Sequence, residues 1–374
     1  MRTALACLAL ALLSCGTGDS DEVLQACGEN GSCPTAYTCM GDQKCHKGGI
    51  APVRHAYVTS GETSQLLLFN VFADGGIAQA GAPISTVARP FHVVVDPSGK
   101  YLLVAGFNAN AVASYTIDRA SGQLTPVNMA AAGVNPISLA VTPASTFVYT
   151  ADTNGATVSR FALDPASGQL TALGQTPAGM TPEWITLDAS GRFAYVANTG
   201  AGTVSVFSVD PATGALTALT PAPAGGAPTS FALDAASTRG FVANSRDGTV
   251  TAYTRDAQSG LLSAAGAAVP AGTTARALTL DPSGQHLYVA PIGDLALRIF
   301  AVDAGAHLTP QGQPVMLGAG AFFLTFDPEG KHLYTANNVE GTISVFSVDS
   351  SGGLTPLYTP VLAGKTPFSI AFTR

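Results

Sequence analysis

Residues 182–219 read PEWITLDASGRFAYVANTGAGTVSVFSVDPATGALTAL, and residues 322–357 read FFLTFDPEGKHLYTANNVEGTISVFSVDSSGGLTPL. These are two copies of one unit. Stepping from Pro90 reaches Pro136, Pro182 and Pro228 at intervals of 46 residues, then Ala275 after 47, and Ala321 and Pro367 after 46 each. Within the Pro182 copy four short runs stand between turn residues: Trp184–Leu187, Phe193–Ala197, Thr203–Val209 and Leu216–Leu219. The second and third are rich in β-branched and aromatic residues, and none is long enough for a helix. Asp-x-Ser-Gly and a Gly-containing loop supply tight-turn chemistry between them. A repeat of this length with four antiparallel strands reads as a propeller blade, and the lack of a 3.6-residue apolar period excludes a helical array.

The ends of the repeat decide how it closes. HAYVTS (55–60), SQLLLFNVF (64–72) and a weak outer run supply only the second to fourth strands of a blade, while PFSIAF (367–372) supplies only a first strand. Six complete copies and this split one make seven. The expected fold is therefore all-β: a seven-bladed β-propeller of four-stranded antiparallel blades over residues 54–374. The C-terminal inner strand closes the ring, which leaves no long exposed sheet edge.

Hydrophobic residues make up 47% of the 374 and charged ones 11%, ample for a core under a weakly charged surface. Lys and Arg number 17 against 24 Asp and Glu, a net charge of −7, with no cationic cluster. Nucleic acid is not an expected partner, because counterion release needs clustered cations.

The N-terminus reads as an export signal over residues 1–14. Arg2 precedes an apolar run from Ala4 to Leu13, too short to span a bilayer, which takes about 20 residues. Its end, Leu12-Leu13-Ser14-Cys15, resembles the lipobox of bacterial lipoproteins. The resemblance implies cleavage before Cys15, lipidation of its sulfur and a membrane partner reached through that lipid. Residues 15–26 then form a tether. The expected location is the bacterial cell envelope, outside the cytoplasm. Of the remaining cysteines, Cys7 leaves with the signal, and Cys27, Cys33, Cys39 and Cys45 recur at a spacing of six. An even number in an exported segment too short for a core points to a disulfide-rich knob at 27–48, its pairing open among three connectivities. Zinc ligands usually come in pairs two to four residues apart, which this spacing does not provide, so no metal is expected.

The motif LDPSGxxLYVAN…GTVSVFSVD…GxLT, carried by copies such as residues 187–198, 202–210 and 278–290, resembles the lactonase family of seven-bladed propellers. That family includes 6-phosphogluconolactonase and the carboxy-muconate cycloisomerases. The resemblance spans residues 55–374 and implies the propeller, with a site at one mouth of its channel. The family pattern places a His where this chain has Glu183, an Arg at Thr229, a His at Ser230, a Glu at Ser245 and a second Arg at Phe322. Lactone opening needs a positioned base and groups that hold the oxyanion, and every one of those positions is replaced. No G-x-S-x-G, H-E-x-x-H or phosphate loop takes their place, and no cofactor is expected.

The copies also serve as one another's background. The slot after the repeat start reads Phe91, Ile137, Glu183, Thr229, Arg276, Phe322 and Phe368. The next slot reads His92, Ser138, Trp184, Ser230, Ala277, Phe323 and Ser369, and the slot ending the second strand includes Asp152 beside Asn198, Asn244 and Asn337. His92, Asp152, Glu183, Trp184 and Arg276 break these patterns and are the candidate ligand-binding residues. Glu183 and Arg276 also read as charges solvated at the rim, Asp152 as a turn cap and Trp184 as a strand residue. The functional expectation is a membrane-anchored, non-catalytic module that binds a protein, glycan or small molecule. The competing reading is a hydrolase or isomerase of a sugar-derived lactone, resting on fold analogy alone.

Overall fold

The computed structural model describes residues 51–374, together with the backbones of three short strands, Val23–Ala26, Tyr37–Cys39 and Lys44–Lys47. In the fourth blade, counted in order around the ring, an innermost strand Pro182–Leu187 pairs antiparallel with Phe193–Asn198, which pairs with Thr203–Val209. The Asp-x-Ser-Gly turn between the first two is closed by its aspartate: Asp188 accepts the Phe193 amide at 2.9 Å and the Ser190 hydroxyl. The seven sheets of residues 54–372 repeat this order. The outermost strand differs from the expectation. In the fourth blade it is broken into Leu216–Ala218 and Ala222–Pro223, both pairing with the third strand, and three other blades carry the same break. Proline tolerates such an edge position, and a short, interrupted edge is a poor template for another chain.

Alternation along each strand sends side chains into two different cores. In the second strand of the fourth blade, Ala194 and Val196 pack with Tyr149 and Val158 of the blade before, while Phe193, Tyr195 and Ala197 pack with Phe231 and Val242 of the blade after. Each of the seven apolar clusters lies between consecutive blades in this way. Strands buried on both faces read as nearly continuous apolar runs, which explains the partial alternation in sequence.

A polar contact crosses most of these interfaces. The fully buried tyrosine of a second strand donates its hydroxyl to the carbonyl of a turn glycine in the next blade: Tyr57 to Gly122, Tyr149 to Gly214, Tyr195 to Gly260, Tyr288 to Gly352 and Tyr334 to Gly75, at 2.7–2.9 Å. The glycine is required twice over. Gly260 has φ +74°, and a β-carbon there would lie 2.2 Å from the Phe193 ring. Where the tyrosine is missing, other groups substitute. Ser114 donates to Gly168 at 2.7 Å, and Arg239 donates to the Asp303 carbonyl at 2.9 Å. The fourth and fifth blades share one further tie. Arg255 replaces the aliphatic residue of its slot and is buried in an ion pair with Asp188 at 3.0 Å, its Nε donating to the Tyr195 hydroxyl.

The ring closes as expected. Pro367–Phe372 pairs antiparallel with Arg54–Ser60 as the innermost strand of the first blade, with Ile370 opposite Val58. Cys15, Cys27 and Cys33 lie outside the described residues. Of Cys39 and Cys45 only the backbone is described, and there they face each other across neighbouring strands of a three-stranded sheet.

The Tyr334–Gly75 bond joins the last blade to the first, so removing it isolates the closing interface. Tyr334→Phe keeps the ring but leaves a buried carbonyl unpaired. It is expected to lower stability by about 1–2 kcal/mol in denaturant titrations without changing the far-UV spectrum.

Candidate ligand site at the channel mouth

The innermost strands all start at one face, so the slot after the repeat start forms a ring around the channel mouth. Half of that ring is aromatic. Phe91 and Phe368 stack at 4.2 Å, and Phe322 meets both edge-on at 5.5 and 5.2 Å. The other half is polar. Arg276 Nη2 lies 2.5 Å from Glu183 Oε1, bridging the fourth and sixth blades over the fifth. The Arg276 guanidinium also sits 4.0 Å from the Phe322 ring centroid, a cation–π position. Thr229, between the two charges, donates its hydroxyl to the Arg276 carbonyl at 2.8 Å. Thr199 Oγ1 lies 3.0 Å from Glu183 Oε2 and 2.6 Å from the Pro228 carbonyl. Its single proton serves one of these acceptors at a time.

The expectation of water-solvated rim charges is therefore corrected. The side chains of Glu183 and Arg276 are only 13% and 20% exposed and neutralise each other. Sequence gave no sign of the pairing, since the two lie 93 positions apart.

One residue further in, three rings from the second, fourth and seventh blades meet across the axis. His92 lies 4.8 Å from Trp184 and 5.7 Å from Phe323, and Trp184 lies 5.9 Å from Phe323. A cavity of about 220 Å³, the upper cavity, opens at the mouth on the side of the fourth to seventh blades; its lining includes Glu183, Arg276, Trp184, Ser230, Phe322 and Phe323 and runs inward to Leu233 and Thr279. Two more open basins of about 590 and 420 Å³ are both lined by His92. His92 thus lines these basins and not the cavity that holds Glu183 and Arg276. Its Nδ1 accepts the Leu139 amide at 3.0 Å, and burial pulls its pKa down to about 3.

Asp152 lines none of these cavities. It is fully buried within its blade, where its carboxylate accepts hydroxyls from Thr150, Thr157 and Ser159 at 2.6–3.0 Å. Burial outweighs these bonds and raises its pKa. Asn198, Asn244 and Asn337 hold the same slot with the bonds reversed, their amides donating to Ser and Thr hydroxyls. Of the positions set against the family pattern in sequence, Glu183, Thr229, Ser230 and Phe322 line the upper cavity. Ser245 is turned into its loop, donating to the Ala227 carbonyl at 3.0 Å. Thr199 and Phe323 were not singled out by sequence, because a Thr after a strand and a Phe within one are ordinary there. Among the described residues no group of three or more His, Cys, Asp or Glu is placed to hold a metal.

Two outcomes follow from this geometry. Glu183→Ala and Arg276→Ala are each expected to cost about 1–3 kcal/mol by stranding a mostly buried partner, and the double variant less than their sum; denaturant titrations of all four proteins complete the cycle. His92 adds a pH dependence. An unfolded imidazole binds its proton near 6.5 and the folded one only near about 3, so the unfolded chain holds the extra proton between them. The stability linked to His92 is whole above pH ~6.5 and falls as pH drops towards 3, by up to about 1.4 kcal/mol per unit. His92→Ser, which keeps an acceptor for the Leu139 amide, should flatten that part of a stability-versus-pH curve relative to the parent.

A family described as "Lactonase, 7-bladed beta-propeller" matches residues 53–187, 184–278 and 269–369 of the chain. Solved structures share the fold at low identity. A periplasmic gluconolactonase of Pseudomonas aeruginosa superposes with a TM-score of 0.75 at 20% identity, covering 86% of this chain and 99% of its own. A candidate 6-phosphogluconolactonase of Bacteroides fragilis gives 0.76 at 20%, covering 86% and 98%. A protein of Lactobacillus plantarum gives 0.76 at 20%, covering 86% and 99%.

Proposed function

Given that the chain belongs to the lactonase family of seven-bladed β-propellers, we propose that it uses the family's channel mouth to bind a small molecule without turning it over. The observation that carries this reading is the state of the charged groups there. The carboxylate lining the upper cavity is committed to Arg276, and the nearby histidine is neutral, outside that cavity, with its Nδ1 occupied. Hydrolysis of a lactone needs a free base and donors aimed at the oxyanion. Thr229 spends its proton on a carbonyl, and Phe322 offers an apolar face. The competing reading, a hydrolase of a sugar-derived lactone, is favoured by one fact: Glu183 stands in the cavity where the family pattern has its histidine.

Trp184 is the only tryptophan in the chain and lines the cavity, so its emission reports on what enters. Titration with a panel of unphosphorylated sugars, sugar lactones and organic acids should shift that emission for at least one class. D-glucono-1,5-lactone should be hydrolysed no faster than in buffer. Hydrolysis that vanishes in Glu183→Gln would overturn the binding reading and make Glu183 a general base. A panel that leaves the emission unmoved would remove the site.

The lipobox-like end of the signal supports a second part of the proposal, that the propeller is held at the cell envelope by a lipid on Cys15. Cys15→Ser should move the protein from the membrane to the soluble fraction. Wild type without acyl mass on its mature N-terminal peptide would sink that assignment.

A further inference from the structure

The Glu183–Arg276 bridge has a position as well as a charge balance. The upper cavity runs along one strand: Thr229, Ser230, Phe231, Ala232 and Leu233, consecutive residues of the fifth blade's innermost strand, all line it. Glu183 and Arg276 stand at the mouth ends of the strands on either side, Pro182–Leu187 and Ala275–Leu280. Their bond therefore passes over the mouth end of the strand along which the cavity runs. Thr229 leaves room for that crossing. Its slot holds Phe or Ile in four other copies, whereas Thr229 is short and buried, with its hydroxyl turned to the Arg276 carbonyl at 2.8 Å. On the other side of the mouth Phe91, Phe322 and Phe368 pack against one another, so that side is filled by rings.

Each partner in the bridge has a second contact to fall back on. Glu183 Oε2 lies 3.0 Å from Thr199 Oγ1, whose proton otherwise goes to the Pro228 carbonyl. The Arg276 guanidinium lies 4.0 Å from the Phe322 ring centroid, a cation–π contact that does not need the carboxylate. Parting the two leaves the carboxylate with a hydroxyl and the guanidinium on a ring, rather than two buried charges with nothing beside them. Both side chains rotate about several bonds from strand starts that the sheets hold in place, so the bridge opens by rotamer changes and no blade has to move. Exposures of 13% and 20% also keep the pair within reach of dissolved ions.

We propose that the Glu183–Arg276 bridge is a latch over the upper cavity, closed in this structure, and that its opening sets how often a molecule enters. The inference rests on the binding reading above for its purpose, while the latch itself is measurable without a ligand.

The probe is acrylamide, a small neutral quencher, acting on the emission of Trp184 in the full chain. Trp184 is the only tryptophan and lines the cavity. A site open for part of the time is reached in proportion to that part. Glu183→Gln and Arg276→Gln should each raise the quenching constant about threefold, the bias expected of a partly exposed pair. Wild-type quenching should climb as NaCl is raised to about 0.5 M, where charges are screened within a few ångströms, and quenching in the two variants should not. Exchanging the charges, Glu183→Arg with Arg276→Glu, rebuilds a bridge and should return quenching towards the wild-type value, which separates a lost latch from a loosened fold. Trp184 also lines a basin with Arg374, so Arg374→Ala tests entry from that side and should leave quenching unchanged. Quenching indifferent to both single variants, raised as much by Arg374→Ala, or left high by the exchange would overturn the latch. A salt response that survives in the variants would do the same. None of these outcomes touches the binding reading, which falls only if the ligand panel leaves Trp184 emission unmoved.

Discussion

Every apolar cluster of this propeller lies between two blades, so no blade has a core of its own. Second-strand side chains alternate between the blade behind and the blade ahead, and the interfaces are then held by a polar contact. A buried tyrosine hydroxyl reaches the carbonyl of a glycine whose backbone no other residue adopts comfortably. Burial leaves the Tyr195 phenol with its pKa pushed up to about 12, a proton donor at any ordinary pH. Ring closure follows from this constraint. Were Pro367–Phe372 absent, the first and last blades would face water with the surfaces their neighbours bury.

The channel inherits its chemistry from the same arrangement. Because strand starts converge, one slot of the repeat becomes a ring, and a change in one copy changes one sector of that ring. Four copies from the seventh blade to the third place Phe or Ile there, and the next three place Glu, Thr and Arg. The result is a mouth with an apolar half and a neutralised polar half. One residue further in, His92, Trp184 and Phe323 come from blades that do not touch in sequence order, and they meet across the channel. Family membership supplies the scaffold. The side chains at the mouth are set copy by copy in this chain's repeat.

Much of this was legible beforehand. The 46-residue step, the split first blade and the positions of three strands per blade all came from apolar runs and turn residues, because those are local properties. The broken outer strands were not, since a two-residue strand carries too little sequence to stand out from a loop. Glu183, Trp184 and Arg276 were found as departures from the repeat, and they do line one cavity. His92 and Asp152 were found by the same logic and do not. A pattern break shows that a slot has changed, but not which way the side chain turns: His92 accepts the Leu139 amide beside two other basins, and Asp152 turns into its own blade to collect three hydroxyls.

The sequence by itself determined the number of blades and the closure through the termini, because a repeat period does not depend on packing. Only the tertiary structure decided that Glu183 and Arg276 cancel each other and that His92, Trp184 and Phe323 meet across the channel. These are relations between residues tens to hundreds of positions apart. Such relations come into being only when seven separate strands are brought around one axis.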